Sequence, residues 1–383
     1  MTVQRIMVVG GDGFCGWPTS LHLAKEGNEV LIVDNLSRRK IDVDLGLSTL
    51  TPIASIEDRI SVANQLVGSI KFHQIDVASQ FDELKSAIAE FKPDAIVHFG
   101  EQRSAPHSMI SDEHRNYSVN NNIVGTHNIC SAIVTVKPDI HLIHLGTMGV
   151  YGYSKEFGKI PEGYLGIEIL ETAQKTKILY PANPGSIYHM TKCLDQLIFQ
   201  FYSKNWKLRI TDLHQGIVWG INTSETSLSP HLTNRFDYDG IYGTVLNRFL
   251  SQAANGHPLT VYGSGGQTRA FINIADTARC IKLAVANNGD AERVTIFNQV
   301  SETRSVLELA QIVSKLYSVP IEFVANPRKE LATNDLDVEN KGLRSLGFEP
   351  ILLNEGLMAD VIALAEHQKN IFDTKKVLNS PKW

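Results

Sequence analysis

A chain of 383 residues, 43% hydrophobic and 20% charged, has room for about two domains and enough apolar side chains for a sizeable core. That balance excludes a disordered, collagen-like or coiled-coil protein. Its net charge of -5, from 36 basic and 41 acidic residues, gives no general attraction to a phosphate backbone, so nucleic acid is not an expected partner.

The chain enters an apolar strand at once, Arg5 to Gly10 (RIMVVG), without the charged n-region and long h-region of a signal peptide. No window approaches 18 uninterrupted apolar residues, so no membrane span is expected. Gly10-Gly11-Asp12-Gly13-Phe14-Cys15-Gly16 follows, with glycines in G-x-x-G-x-x-G spacing. Gly10 permits the turn, Gly13 lets backbone approach a pyrophosphate, and Gly16 allows close packing of helix on strand. The helical pattern Trp17 to Glu26 then aims its free N–H groups at phosphates, with Asp12, Phe14 and Cys15 beside them. Glycine triplets alone are weak signals; strand before and helix after give this one its meaning.

A second strand, Glu29 to Asp34, ends 18 residues past Gly16 on a carboxylate. It can accept both ribose hydroxyls and would repel a 2′-phosphate, which favours NAD over NADP. Asn35, Arg38 and Arg39 stand at the same edge; the two arginines pull towards NADP, or face phosphates or solvent. The connection 35–68 is longer than two strands need, a sign of function or mobility. After the third strand, Asp76 either holds the adenine edge with Val77 or is a simple turn aspartate.

Helix Phe81 to Phe91, strand Ala95 to Phe99, helix Asn121 to Thr135 and strand His141 to Leu145 continue the alternation. It predicts an α/β fold, a doubly wound parallel sheet of Rossmann type. Residues 152–180 read as polar and irregular. Beyond Gln215 the pattern turns to short elements with turn clusters. We expect a dinucleotide-binding domain over 1–216 and a smaller C-terminal α/β substrate-binding domain over 217–383, with the chain crossing back near 265–285.

Tyr188 and Lys192 form Y-x-x-x-K on a helix expected over Ser186 to Lys204, so both lie on one helical face. A phenol is a poor base at neutral pH, and a neighbouring ammonium lowers its pKa by favouring phenolate. Thr147, 41 residues upstream at the end of a strand, offers a hydroxyl to share the substrate proton. Cys15, Cys130, Cys193 and Cys280 are scattered without a C-x-x-C pair, which points away from a disulfide framework or metal site and towards a reducing, cytoplasmic setting.

Gly10 to Gly16, Asp34, Thr147, Tyr188 and Lys192 together resemble the extended short-chain dehydrogenase/reductase family, which acts on nucleotide sugars. The stretches GGDGFCGWPTSLHL, VDNLSRRKIDVDLGLSTLTPIASIEDRI, VHFGEQRSAPHSMI, LGTMGVYG, TDLHQGIVWG, RFDYDGIYGTVLNRF and GHPLTVYGSGGQTRAFINIAD narrow it to members that join sulfite to UDP-glucose. The resemblance covers almost the whole chain.

It implies a retained, internally recycled NAD. It also implies that Tyr188, with Thr147 and Lys192, deprotonates the glucose 4-hydroxyl. A 4-ketone then acidifies the C5 hydrogen, water leaves C6, sulfite adds to the 5,6-ene, and C4 is reduced again to give UDP-sulfoquinovose. The resemblance places Gly100, Glu101, Asn121 and Gln215 at the cofactor, and Arg103, Met148 and Gln215 at the sugar. Thr244, Asn247, Thr260 and Tyr262 would form the UDP pocket, with Arg269 and Arg328 clamping the diphosphate. Arg103 either holds sulfite or makes a structural salt bridge. A homodimer and a sulfite-delivering partner protein are further implications.

One departure matters. Sugar 4,6-dehydratases of this family carry an Asp-Glu pair after the threonine, where this chain has Met148 and Gly149. His189 is the nearest replacement for the proton work, or it merely packs beside Tyr188. Two other readings stand: another NAD-dependent epimerase or dehydratase of nucleotide sugars, and a non-catalytic dinucleotide-binding protein.

Overall fold

The computed structural model describes residues 3–152, 158–328, 330–334, 336–353, 355–367 and 369–383. Seven short apolar runs form its main sheet: β1 (Arg5–Val9), β2 (Glu29–Asp34), β3 (Ile70–Gln74), β4 (Ala95–His98), β5 (His141–Thr147), β6 (Ile210–Gln215) and β7 (Thr295–Gln299). They lie in the order β3-β2-β1-β4-β5-β6-β7, and every neighbouring pair is parallel. All of β4 and nearly all of β1 are buried, as expected for a parallel sheet covered by helices on both faces. The strand order reverses between β1 and β4, and a crevice outside the carboxyl ends follows from that reversal.

Helices α1 (Gly16–Lys25), α2 (Phe81–Phe91), α3 (Gly125–Val136), α4 (Ile187–Trp206) and α5 (Ile274–Ala286) supply most of that cover. The helix expected from Asn121 begins instead as a π-helical turn, Asn120–Val124. The wider turn, a form common at functional sites, carries Asn121 and Asn122 into the interior. Asn122 Nδ2 donates to Thr191 Oγ1 on α4 at 3.0 Å and to Gln102 O at 3.0 Å, which fixes α4 beneath the site.

A smaller lobe follows β6. Its strand Gly266–Asn273 pairs with Ile217–Trp219, Glu302–Ser305 and Thr333–Asn334, while Leu259–Tyr262 pairs with Ile321–Val324. The return to the main sheet runs on past 265–285, because β7 completes the sheet after α5.

The stretch read as irregular and the long connection before it both have structure. Within 152–180, Tyr164–Ile169 and Gln174–Leu179 form an antiparallel hairpin, while residues 153–157 lie outside the described residues. The hairpin is at most half-buried on either face; its first strand does alternate, Leu165, Ile167 and Ile169 against Gly166 and Glu168, while its second is mostly polar. In the 35–68 connection, helices Ser37–Asp44 and Ile56–Leu66 flank a link that grips the second lobe. Leu50 N–H donates to Phe236 O at 2.9 Å, and Thr51 Oγ1 donates to Asn234 O at 2.6 Å. Among the described residues, no helix is long and apolar enough to cross a membrane.

Candidate active site

One cavity of about 1060 Å³ runs along the carboxyl ends of the sheet and beneath the second lobe. At one end lies the glycine loop. Gly10 has φ +80°, and a Cβ there would meet Gly100 N at 2.6 Å, so the turn admits no side chain. The first turn of α1 has no side-chain cap and no acidic residue, so the positive end of its dipole faces the glycine loop, although Trp17 N–H and Thr19 N–H already donate to Gly13 O and Cys15 O. Asp34 accepts from Asp12 N–H at 2.9 Å and from Leu36 N–H at 2.7 Å, and each oxygen keeps a lone pair for a ribose hydroxyl. Burial, helped by the nearby Asp12 charge, pushes its carboxyl up to about 6. A buried carboxylate short of donors beside an uncapped helix end fits an NAD ribose and pyrophosphate.

The arginines that pulled towards NADP are engaged elsewhere. Arg39 grips Asp12 through Nε at 2.6 Å and Nη2 at 2.9 Å, and Asp12 is also paired with buried Arg59 at 2.5 Å. Arg38 pairs with Asp42 and Asp237 and stacks 3.6 Å over the Tyr242 ring. Arg38 still lines the cavity, whereas Arg39 is not on its wall.

Thr147, Tyr188, His189 and Lys192 converge at the middle of the cavity. Ser186 caps α4 by accepting from His189 N–H at 3.2 Å, so Tyr188 and Lys192 sit on the first turns of a firmly started helix. Thr147 Oγ1 accepts from Gly149 N–H at 3.1 Å and faces the cavity with Tyr188. Burial raises Tyr188 above the usual range of a phenol, and the charge of Lys192 opposes it. Lys192 Nζ donates to Leu145 O at 2.8 Å and lies 2.8 Å from Glu101 Oε2. Glu101, Gly100, Asn121, Gln215 and Val77 also reach the wall, but the Glu101 carboxylate addresses Lys192 and His144.

His189 Nδ1 lies 3.1 Å from Ser186 Oγ, and the other ring nitrogen faces the hollow beside Gly149. Burial, then the charges of Arg328 and Arg269, lower its pKa to about 4, so the imidazole is neutral at pH 7.

Arg103 lines the cavity and makes the expected salt bridge, 2.7 Å from Asp237. Thr244, Thr260, Tyr262, Arg269 and Arg328 line the far end. Arg248, missed in the sequence, stands among them and donates to Tyr262 Oη at 3.3 Å. Its neighbour Asn247 points away and holds the Gly220 backbone at 3.0 Å. Adjacent helical residues are about 100° apart, so choosing between them needed the helix's rotation. The Nε atoms of Arg248 and Arg328 have no hydrogen-bond partner among the described residues, and Glu330 is the nearby carboxylate, bound to Arg269. That wall has cation to spare, as an anion site requires.

Two further expected residues sit off the cavity wall. Met148 is 1% exposed and packs in an apolar cluster with Val150 and Tyr151. Asp76 accepts from Ala78 N–H at 2.9 Å, the turn role rather than an adenine contact. Trp383, Gln267 and Glu330 line the cavity without having been legible, since no local pattern marks them.

Residues 6–298 match the NAD dependent epimerase/dehydratase family. The chain is 44% identical to the chloroplastic UDP-sulfoquinovose synthase of Spinacia oleracea over 99% of its length and 79% of that protein. It is 40% identical to the UDP-sulfoquinovose synthase of Sulfolobus acidocaldarius, covering 91% of this chain and 88% of that one. In fold it is similar to UDP-glucose 4-epimerase of Thermotoga maritima with UDP-glucose, at a TM-score of 0.69 and 20% identity over 96% of this chain and all of that one. UDP-glucose 4-epimerase of Thermus thermophilus, solved with NAD, aligns at a TM-score of 0.63 and 20% identity over 94% of this chain and 98% of that one.

Proposed function

Because this chain belongs to the NAD dependent epimerase/dehydratase family, and its relatives at 44% and 40% identity are UDP-sulfoquinovose synthases, we infer that it forms UDP-sulfoquinovose. UDP-glucose and sulfite are the substrates in this reading. NAD, held by the glycine loop and Asp34, supplies a reversible hydride acceptor for C4 of the sugar.

The chain's own residues account for the rest. Tyr188, beside Thr147 on the cavity wall, takes the proton of the 4-hydroxyl and later returns it. Arg248, Arg269 and Arg328 bind the diphosphate and so fix the sugar over Tyr188. The hydrogen on C5, acidic once C4 is a ketone, goes to His189, which passes it to the C6 hydroxyl as that group leaves as water. Hydrogen sulfite, drawn in by Arg103, then adds across the 5,6-ene: sulfur bonds to C6 and its proton goes to C5.

The observation that carries this reading is the exchange at position 149. A Cβ on Gly149 would fall 2.2 Å from His189 Cδ2 and 2.4 Å from Nε2, so the imidazole stands where the dehydratase acid would project. A neutral ring there can accept the C5 proton, and the imidazolium so formed can hand it to the departing C6 hydroxyl.

Two looser parts belong to the same proposal. Leu197 and Phe201, one turn apart on α4, are 57% and 55% exposed, and Val124 adds to an apolar face suited to a homodimer of paired helices. Four free, buried cysteines suit a reducing, cytoplasmic setting, and a partner protein would hand over the sulfite. The test of function is direct. Enzyme, UDP-glucose and labelled sulfite should yield a nucleotide sugar whose mass includes one sulfonate. UDP-galactose or a 4-keto-6-deoxy sugar, with no sulfonate, would overturn the reading.

A further inference from the structure

Central strands of a parallel sheet are ordinarily apolar, yet β4, β5 and β6 bury His98, His144, Asp212 and His214. These side chains form one continuous chain below Tyr188. Lys192 Nζ lies 2.8 Å from Glu101 Oε2 and 3.0 Å from His144 Nε2. Glu101 Oε1 lies 2.9 Å from His144 Nε2 and 3.4 Å from His98 Nε2. His144 Nδ1 lies 2.8 Å from Asp212 Oδ1, and Asp212 Oδ2 lies 3.0 Å from His214 Nε2. The donor atoms of His98, Glu101 and His144 fall within 4.8 Å of one another, as metal ligands do. The Lys192 ammonium touches two of the three and takes the place of a cation there.

A carboxylate in that position works against the usual purpose of the lysine. An isolated ammonium near a phenol makes the phenol more acidic; one in contact with a carboxylate acts on it as a weaker dipole. The reaction proposed above gives this a purpose, and the inference rests on that reading. One tyrosine takes the proton of the 4-hydroxyl and later gives it back, so too acidic a phenol would fail in the second half. We propose that Glu101, through its ion pair with Lys192, sets the proton affinity of Tyr188 so that one phenol serves as base and then as acid. Glu101 is a positioning residue: it acts through Lys192.

The surrounding charges agree in sign. Burial would lower Lys192, but Glu101, then Tyr188 and Asp195, hold it raised. Burial raises Tyr188, Lys192 opposes, and Glu101 pushes it further up. His144 is raised to about 9, against burial and Lys192, by Asp212 and Glu101. The groups that face Lys192 are Tyr188 and Asp195 on α4, Glu101 and His98 at the end of β4, His144 on β5 and Asp212 on β6, with Arg103 acting on Tyr188 from the cavity. Burial, then Glu101, push the Asp195 carboxyl upward, and its charge would stand in for a lost carboxylate.

The test reads the tyrosine itself. Phenolate absorbance of the NAD-bound enzyme is titrated, and the same titration of Tyr188→Phe is subtracted to isolate Tyr188. Glu101→Gln should lower the Tyr188 midpoint by about one pH unit or more, with Glu101→Gln/Asp195→Asn at least as low. Glu101→Asp, which restores the charge, should recover most of the difference. The acid limb of kcat for 4-hydroxyl oxidation should move down in parallel, and return of the proton should slow. A midpoint in both Gln variants equal to or above wild type would overturn the proposal. If Glu101→Gln does not fold, Glu101→Asp decides, since its farther carboxylate must still lower the midpoint measurably. The titration does not depend on which sugar product forms, so it stands or falls separately from the synthase reading.

Discussion

The imidazole of His189 stands where a side chain at position 149 would begin, with Cδ2 2.2 Å from the site of a Cβ on Gly149. Packing between these two residues therefore couples a backbone choice to a catalytic one. Gly149→Ala should push the ring aside while the fold and UDP-glucose binding persist. Sulfosugar formation should fall by about 100-fold, the scale of a lost general base. A mass-resolved product assay alongside UDP-glucose titration checks it; unchanged turnover would remove His189 from proton transfer.

Asp34 makes the cofactor-free protein sensitive to pH. Its carboxyl is raised to about 6 in the fold, above its value in an unfolded chain, so the folded state holds the proton more tightly. The sign follows: its contribution to stability is greatest at low pH and declines as pH rises from about 4 to 6. In NAD-stripped protein, the Tm of Asp34→Asn relative to wild type should climb across that window. A constant difference in Tm would contradict the buried, donor-poor environment assigned to Asp34. Purified enzyme should also release NAD, and not NADP, on denaturation.

Arg328 contributes to ligand binding more than to the fold, since its Nε has no partner among the described residues and its neighbours Arg269 and Arg248 are also cations. Arg328→Met should weaken UDP binding roughly 10- to 100-fold, the cost of a lost hydrogen bond to a charged group. The Tm should hold or rise, because one buried cation has gone. Calorimetry with UDP and a thermal melt separate the two effects.

Phe201 and Leu197 present an apolar face on α4 that a dimer would cover. Phe201→Glu should halve the mass in solution by light scattering without unfolding the chain. A wild-type protein that is already monomeric at micromolar concentration would end the dimer proposal.

Much of this was decided by local sequence. The apolar runs of β1, β2, β4 and β5, the glycine loop, Asp34 and the Tyr188–Lys192 spacing are read from periods and offsets along the chain, because each acts within one strand–turn–helix unit. Tertiary structure decided which neighbour faces the cavity and which charges meet. Arg248 rather than Asn247 reaches the wall because the helix Val245–Ala254 is rotated that way by its packing. Arg39 is bound to Asp12, and Asp237 joins Arg38 and Arg103, across gaps of 27 to 199 residues that no local pattern spans. The same holds for Glu101 and Lys192, one in the loop after β4 and the other inside α4, joined only when the helix packs against the sheet. Sequence carries the periodicity of single elements; burial brings distant charges together, and there the dielectric falls and their pairing sets the chemistry.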